Sequence, residues 1–158
     1  MFLLFVGLIV ALIHILYVGK KIKKKRVFEL LTLYTLIFGI GVTGLMAGVA
    51  HIFFGDLIAA KIGWAIGSPF QFEVGLHDAA WGVLGILSIW YRRHFWLATG
   101  LGWSLFLLGA GYGHVRDVIL HDNYAPYNYG FIAPNFILPV VILVLKGFYF
   151  KYNKEKKK

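Results

Sequence analysis

In the stretch Gly109 to Asn128, GAGYGHVRDVILHDNYAPYN, three residues able to bind a metal or carry a proton follow a HxxDxxxH pattern. These are His114, Asp117 and His121. On a regular helix the three point within about 60° of one another. Imidazole and carboxylate ligands from separate helices suit first-row metals, and helical bundles build such sites from inward-facing Glu and His. His114 and His121 lie about 10 Å apart along the axis, so one ion would take His114 with Asp117, or Asp117 with His121. A dinuclear site would use Asp117 as a bridge. Glu73 and His77, spaced i, i+4, are expected opposite, joined by His51. The expected ligand set is thus His51, Glu73, His77, His114, Asp117 and His121, for iron, copper or zinc. A haem would need two histidines at similar depth on facing helices, which His51 and His114 would supply. A plainer reading makes the same groups a hydrogen-bonded cap, with carboxylates paired to His and Arg116 at helix ends.

The elements that must position these residues are membrane spans. The chain of 158 residues is 59% hydrophobic and 18% aromatic with mean hydropathy +0.74, too apolar for an ordinary soluble domain. Its composition predicts a single all-α membrane domain, a polytopic integral membrane bundle of five transmembrane helices near 1–19, 27–54, 73–91, 95–120 and 131–150. Met1 to Gly19 lacks a basic start and a small-residue cleavage site, so it reads as an uncleaved first helix. Gly55 to Phe72 is expected to form an interfacial helix or lid, broken at Gly67-Ser68-Pro69 before the third span. His121 to Pro134 reads as a turn-rich loop holding Asn123, Tyr124, Tyr127, Asn128 and Tyr129. Gly44 and Gly48 share a face with His51, and Gly109 and Gly113 continue into Asp117 and His121. Both glycine stripes are expected at close helix contacts. Lys146 is near enough to the end of its span to snorkel. His14 and His94 read as an interfacial hydrogen-bonder and a solvated loop residue.

The net charge of +9 is concentrated in Lys20 to Arg26 and in the tail Lys151 to Lys158. Because these blocks flank apolar spans, they set membrane orientation and argue against nucleic acid as partner. With Arg92 and Arg93 they predict the N-terminus out, the C-terminus in and a basic cytoplasmic tail, in a multi-pass protein of the cell membrane. Four of six histidines and five of seven acidic residues then gather at the outer end. Ionisable groups at membrane depth are costly and mark a functional site by default. The first expectation is a metal- or redox-cofactor-binding membrane protein, as in an oxidoreductase subunit. The alternative is a non-enzymatic accessory subunit of a membrane complex, or a small proton or ion transporter. Expected partners are the lipid bilayer and other membrane subunits or a second copy of the chain. The chain has no cysteine, which excludes disulfides, thiolate sites and cysteine nucleophiles.

IGWAIGSPFQFEVGLHDAAWGVLGIL, followed by GHVRDVILHDNYAPYNYG, resembles a family of small integral membrane proteins of unknown function. The resemblance covers roughly Gly44 to Pro139, and SPFQFEVG (Ser68 to Gly75) is its most specific piece. That family places apolar or amide residues where this chain has His77 and Asp78. The resemblance therefore favours Glu73, His114, Asp117, His121, Asn123 and Asn128 as site residues over those two. It implies no activity.

Overall fold

The computed structural model describes residues 1–19 and 21–154. Lys20 of the first basic cluster and residues 155–158 of the basic tail lie outside the described residues. The described residues form six helices and no strand: α1 Phe2–Val18, α2 Lys24–Phe53, α3 Gly55–Ile62, α4 Phe70–Leu87, α5 His94–His121 and α6 Pro126–Lys154. Three of them (α2, α5 and α6 as far as Tyr152) are long and apolar enough to cross a membrane. Large apolar side chains such as Ile9, Leu16, Leu105, Val140 and Val144 stay exposed on the outward faces. A belt of this kind marks a surface made for lipid.

Glycine decides how the helices pair. A Cβ added at Gly44 would stand 2.7 Å from the Asp78 carbonyl oxygen and 2.8 Å from the Gly82 amide nitrogen. At Gly48 it would stand 2.9 Å from both the Ala79 nitrogen and the Gly75 oxygen. The upper half of α2 and the start of α4 therefore touch backbone to backbone, which only hydrogen side chains permit. Within α2, Thr35–Val42 is π-helical, and the Thr43 hydroxyl donates to the Phe38 carbonyl at 2.8 Å. The wider turn re-registers the helix. Below it α2 packs on α1 and α6; above it α2 packs on α4.

The second close pair is α5 with α6. Its stripe on α5 runs Trp96, Gly100, Trp103, Leu107, Gly111 and His114, all buried. An added Cβ at Gly100 would lie 2.8 Å from Ile142 of α6, and one at Gly111 would lie 3.1 Å from Asn135. The expected stripe through Gly109 and Gly113 is corrected here. Both glycines are exposed, with open space where a Cβ would be. Spacing by four gains about 40° per step, so that stripe drifts off the contact face, whereas the buried one mixes steps of three and four.

Two further expectations change. α6 starts at Pro126, so the loop before it is only residues 122–125. Proline suits a first turn because its missing N–H has no helical partner there. Lys146 does not snorkel but is 3% exposed. Its Nζ donates to the Arg93 carbonyl at 2.8 Å and lies over the Trp96, Tyr149 and Phe150 rings. Arg93 has φ 56, and this bond helps hold that unusual turn between α4 and α5. Nearby Glu29 pairs with Arg26 at 3.0 Å and with Arg92 at 3.1 Å, at what we call the basic end of the bundle.

Gly44→Ala and Gly48→Ala should each destabilise the folded protein by ~1–3 kcal/mol, because the new methyl group meets backbone that cannot yield. Gly109→Ala should be neutral or slightly stabilising. Thermal unfolding of the purified variants in one detergent checks this; equal melting of Gly44→Ala and wild type would refute the close contact.

Candidate functional site

At the end opposite the basic one, the short helix α3 lies across the bundle and is tied down by amides. α3 stops at Gly63, which has φ +83 and faces the Asn123 side chain with no room for a Cβ. Asn123 Nδ2 donates to the Ile62 carbonyl at 2.9 Å and to Asp117 Oδ2 at 2.6 Å. The same carboxylate oxygen accepts from Trp64 Nε1 at 3.2 Å, and Asp117 Oδ1 accepts from His121 Nδ1 at 2.8 Å. Asn128, fully buried, extends the network. Its Nδ2 donates to the carbonyls of Asn123 (2.8 Å) and His114 (3.3 Å), and its Oδ1 accepts from His114 Nδ1 at 2.7 Å. Two carbonyl acceptors orient the Asn128 amide, so neutral His114 carries its proton on Nδ1 and presents Nε2 as an acceptor.

Beneath α3 and Trp64 is a cavity of about 380 Å³. Small-molecule sites occupy roughly 300–1,000 Å³. It opens at the seam between the α2–α4 pair and the α5–α6 pair because α4 and α5 do not meet closely. Trp81 of α4 stands against Gly102 of α5, and the His77 ring lies 4.2 Å from Phe106. These rings hold the two helices apart at mid-height. The walls are mostly apolar, with Trp64, Phe70, Trp103, Phe106, Tyr127 and Phe131 among them. The Trp64 ring lies parallel to His114 with centroids 6.1 Å apart.

Three polar side chains on the cavity wall are more than nine-tenths buried and lack hydrogen-bond partners among the described residues. Asp78 is 5% exposed, and the nearest imidazole nitrogen is His77 Nδ1 at 3.6 Å. Trp103 is 2% exposed with Nε1 unpaired. Asn135 is 7% exposed, and its amide makes no hydrogen bond. Buried polar groups are normally paired, and each exception needs an explanation.

The six residues expected to share a metal occupy several places. His51 and His114 line the cavity from α2 and α5, and His51 Nδ1 donates to Gln71 Oε1 at 2.7 Å. Asp117 and His121 pair with each other in the network at its rim. His77 accepts from Trp81 Nε1 at 2.9 Å, and Glu73 is exposed, with no partner among the described residues. Among the described residues no three His, Asp or Glu side chains are placed to hold one ion. Metal binding therefore has no support in this geometry. The expected juxtaposition of the third and fourth spans is also loose, because α4 packs most closely on α2 and α5 on α6. Asp78, Trp103, Asn135 and Trp64 were absent from the expected set. A signal existed for Asp78, which falls between Gly75, Gly82 and Gly85 at i, i+3, i+7 and i+10 on the close-packing stripe.

The profile of DUF6790, a family of unknown function, matches residues 1–156, so the chain belongs to that family. No curated protein and no solved structure matches.

Asn128→Ala should destabilise the protein by ~1–3 kcal/mol, since it strands a buried and a half-buried carbonyl and a buried imidazole. His121→Ala removes only an exposed partner and should stay within about 0.5 kcal/mol. Thermal unfolding followed by tryptophan fluorescence distinguishes the two; a neutral Asn128→Ala would mean the amide network is not structural.

Proposed function

We propose that this DUF6790 protein is a five-span protein of the cell membrane whose cavity binds a small lipophilic molecule carrying a polar head. The observation behind the ligand is the cavity wall, where Asp78 Oδ1 and Trp103 Nε1 are buried without hydrogen-bond partners among the described residues, and the Asn135 side chain joins them in otherwise apolar surroundings. A buried polar group without a partner is expensive, and a bound head group would supply the missing hydrogen bonds. The donor set favours an organic ligand over the expected iron, copper, zinc or haem. His51, His114, Asp117 and His121 already bond to amides or to one another, and among the described residues no three of them are placed around one point. On this reading the protein is a receptor, a carrier or the ligand-binding subunit of a membrane complex.

Five spans are supported by length. α1 and α4 contain 17 and 18 residues, about 26 and 27 Å at 1.5 Å per residue, close to the thickness of a bilayer core. The basic residues at one end of the bundle support N-terminus out and C-terminus in, with the cavity near the outer surface.

The absence of native cysteine makes topology directly testable. In intact cells a membrane-impermeant maleimide should label Ser68→Cys and Tyr124→Cys, and should label Lys23→Cys and His94→Cys only after permeabilisation. The reverse pattern would overturn the orientation.

Organic extraction and elemental analysis of the purified protein test the ligand. A lipophilic compound should co-purify at near-stoichiometric amount and be lost in Ala110→Trp, whose indole would fill the cavity from its wall. Stoichiometric first-row metal without any organic compound would sink this reading and restore the metal site.

A further inference from the structure

The polar equipment of the cavity is unbalanced, and the imbalance points to a kind of ligand. Asp78 offers a buried carboxylate oxygen, Oδ1, that accepts no hydrogen bond among the described residues. His51 and His114 each give Nδ1–H to an amide oxygen, so a neutral ring at either position adds an Nε2 acceptor. Asn135 adds a carbonyl oxygen. Against these acceptors stand few donors among the described residues: the Trp103 N–H, the Asn135 amide hydrogens, the Tyr127 hydroxyl and, beside Asp78, His77 Nδ1. Although the chain carries a net charge of +9, no lysine or arginine among the described residues lines the cavity; Lys61 lies over the Tyr127 ring at its edge, 5.2 Å from the ring centre.

The charged form of Asp78 needs a counter-ion that the protein supplies poorly. From its own helix, His77 places Nδ1 at 3.6 Å, beyond a good hydrogen bond. From α2 and α5, His51 and His114 face the cavity with their Nδ1 atoms already bonded. A carboxylate in apolar surroundings must be paired or neutralised. The cavity it lines is also walled by Trp64, Phe70, Trp103, Phe106, Tyr127 and Phe131, and aromatic faces attract cations, most strongly where water is excluded. Acceptors, an unpaired carboxylate and aromatic walls all select a donor-rich cation on an apolar body.

We propose that the cavity takes a lipophilic amine, whose protonated nitrogen pairs with Asp78 while its apolar body lies against the aromatic walls. Trp103 Nε1 is left to donate to an ether, hydroxyl or carbonyl oxygen of the same molecule. This inference rests on the reading of the cavity as a ligand site, and a neutral ligand would leave that reading intact.

The test uses full-length protein in nanodiscs of zwitterionic lipid, with tryptophan fluorescence titrated at neutral pH. The probes are phenylbutylamine and phenylbutanol, which share an apolar body and differ in charge. The amine should bind at least about tenfold more tightly than the alcohol, the difference worth one strong interaction. In Asp78→Asn, which keeps the shape of the side chain, the amine should fall to the affinity of the alcohol while the alcohol is unchanged. In Ala110→Trp, which leaves Asp78 in place, both probes should be lost. Equal affinity of the two probes for the wild type would overturn the amine and leave the cavity as a site for neutral molecules. If neither probe binds the wild type, the amine and the cavity reading fail together. The wild-type comparison decides the matter even if Asp78→Asn does not fold.

Discussion

The contact on which the rest of this bundle depends is the one between bare backbones at Gly44 and Gly82. Where an added methyl would lie under 3 Å from main-chain atoms, helices approach more closely than any larger side chain allows. That approach commits α2 to α4. It also turns Asp78 inward, since Asp78 sits on the same stripe as the glycines that make the contact. The π-helical turn at Thr35–Val42 lets one helix serve two partners, with α6 below and α4 above. Because α5 makes its own close pair with α6, the two pairs meet across large rings rather than across glycine. Trp81 against Gly102 and His77 against Phe106 are such contacts, and the gap above them is the cavity.

Closing that gap falls to polar groups. Asp117 accepts from Trp64, Asn123 and His121 and so joins the end of α5 to the segment that roofs the cavity. Asn123 also reaches the last carbonyl of α3, an acceptor with no helical partner of its own. Asn128 carries the network to His114 on the cavity wall. The HxxDxxxH segment thus works mainly as a clasp. Its carboxylate is occupied on both oxygens, whereas Asp78 keeps a buried oxygen, Oδ1, without a hydrogen bond among the described residues. The two acids, similar in sequence terms, differ in what they leave available.

The basic end solves a related problem with charge. Lys146 would be costly within an apolar bundle. Its ammonium group meets the Arg93 carbonyl and three aromatic faces instead of water. Glu29 answers Arg26 and Arg92 at the same end. At one end the buried lysine and Glu29 are thus given partners, while the cavity near the other keeps Asp78 Oδ1 and Trp103 Nε1 without them among the described residues.

Composition and periodicity by themselves determined that the chain is all-helical and membrane-associated, where most helices run, and that Gly44 and Gly48 face a neighbour. They also picked out the segment that bears the clasp. These properties are local: hydropathy, helix start signals and the 3.6-residue repeat are written within a few turns of chain. Tertiary structure alone decided which helices pair, and with that the meaning of each polar residue. The pattern around His114 was legible, yet its reading as a shared metal site assumed that α4 lies close beside α5. The closeness of two helices depends on what stands between them, and a glycine pair in one place and a tryptophan in another are compared only when the chain is folded. Asp78 and Asn135 became prominent for the same reason. A missing hydrogen bond is a property of the surroundings, and no spacing within one helix can reveal it.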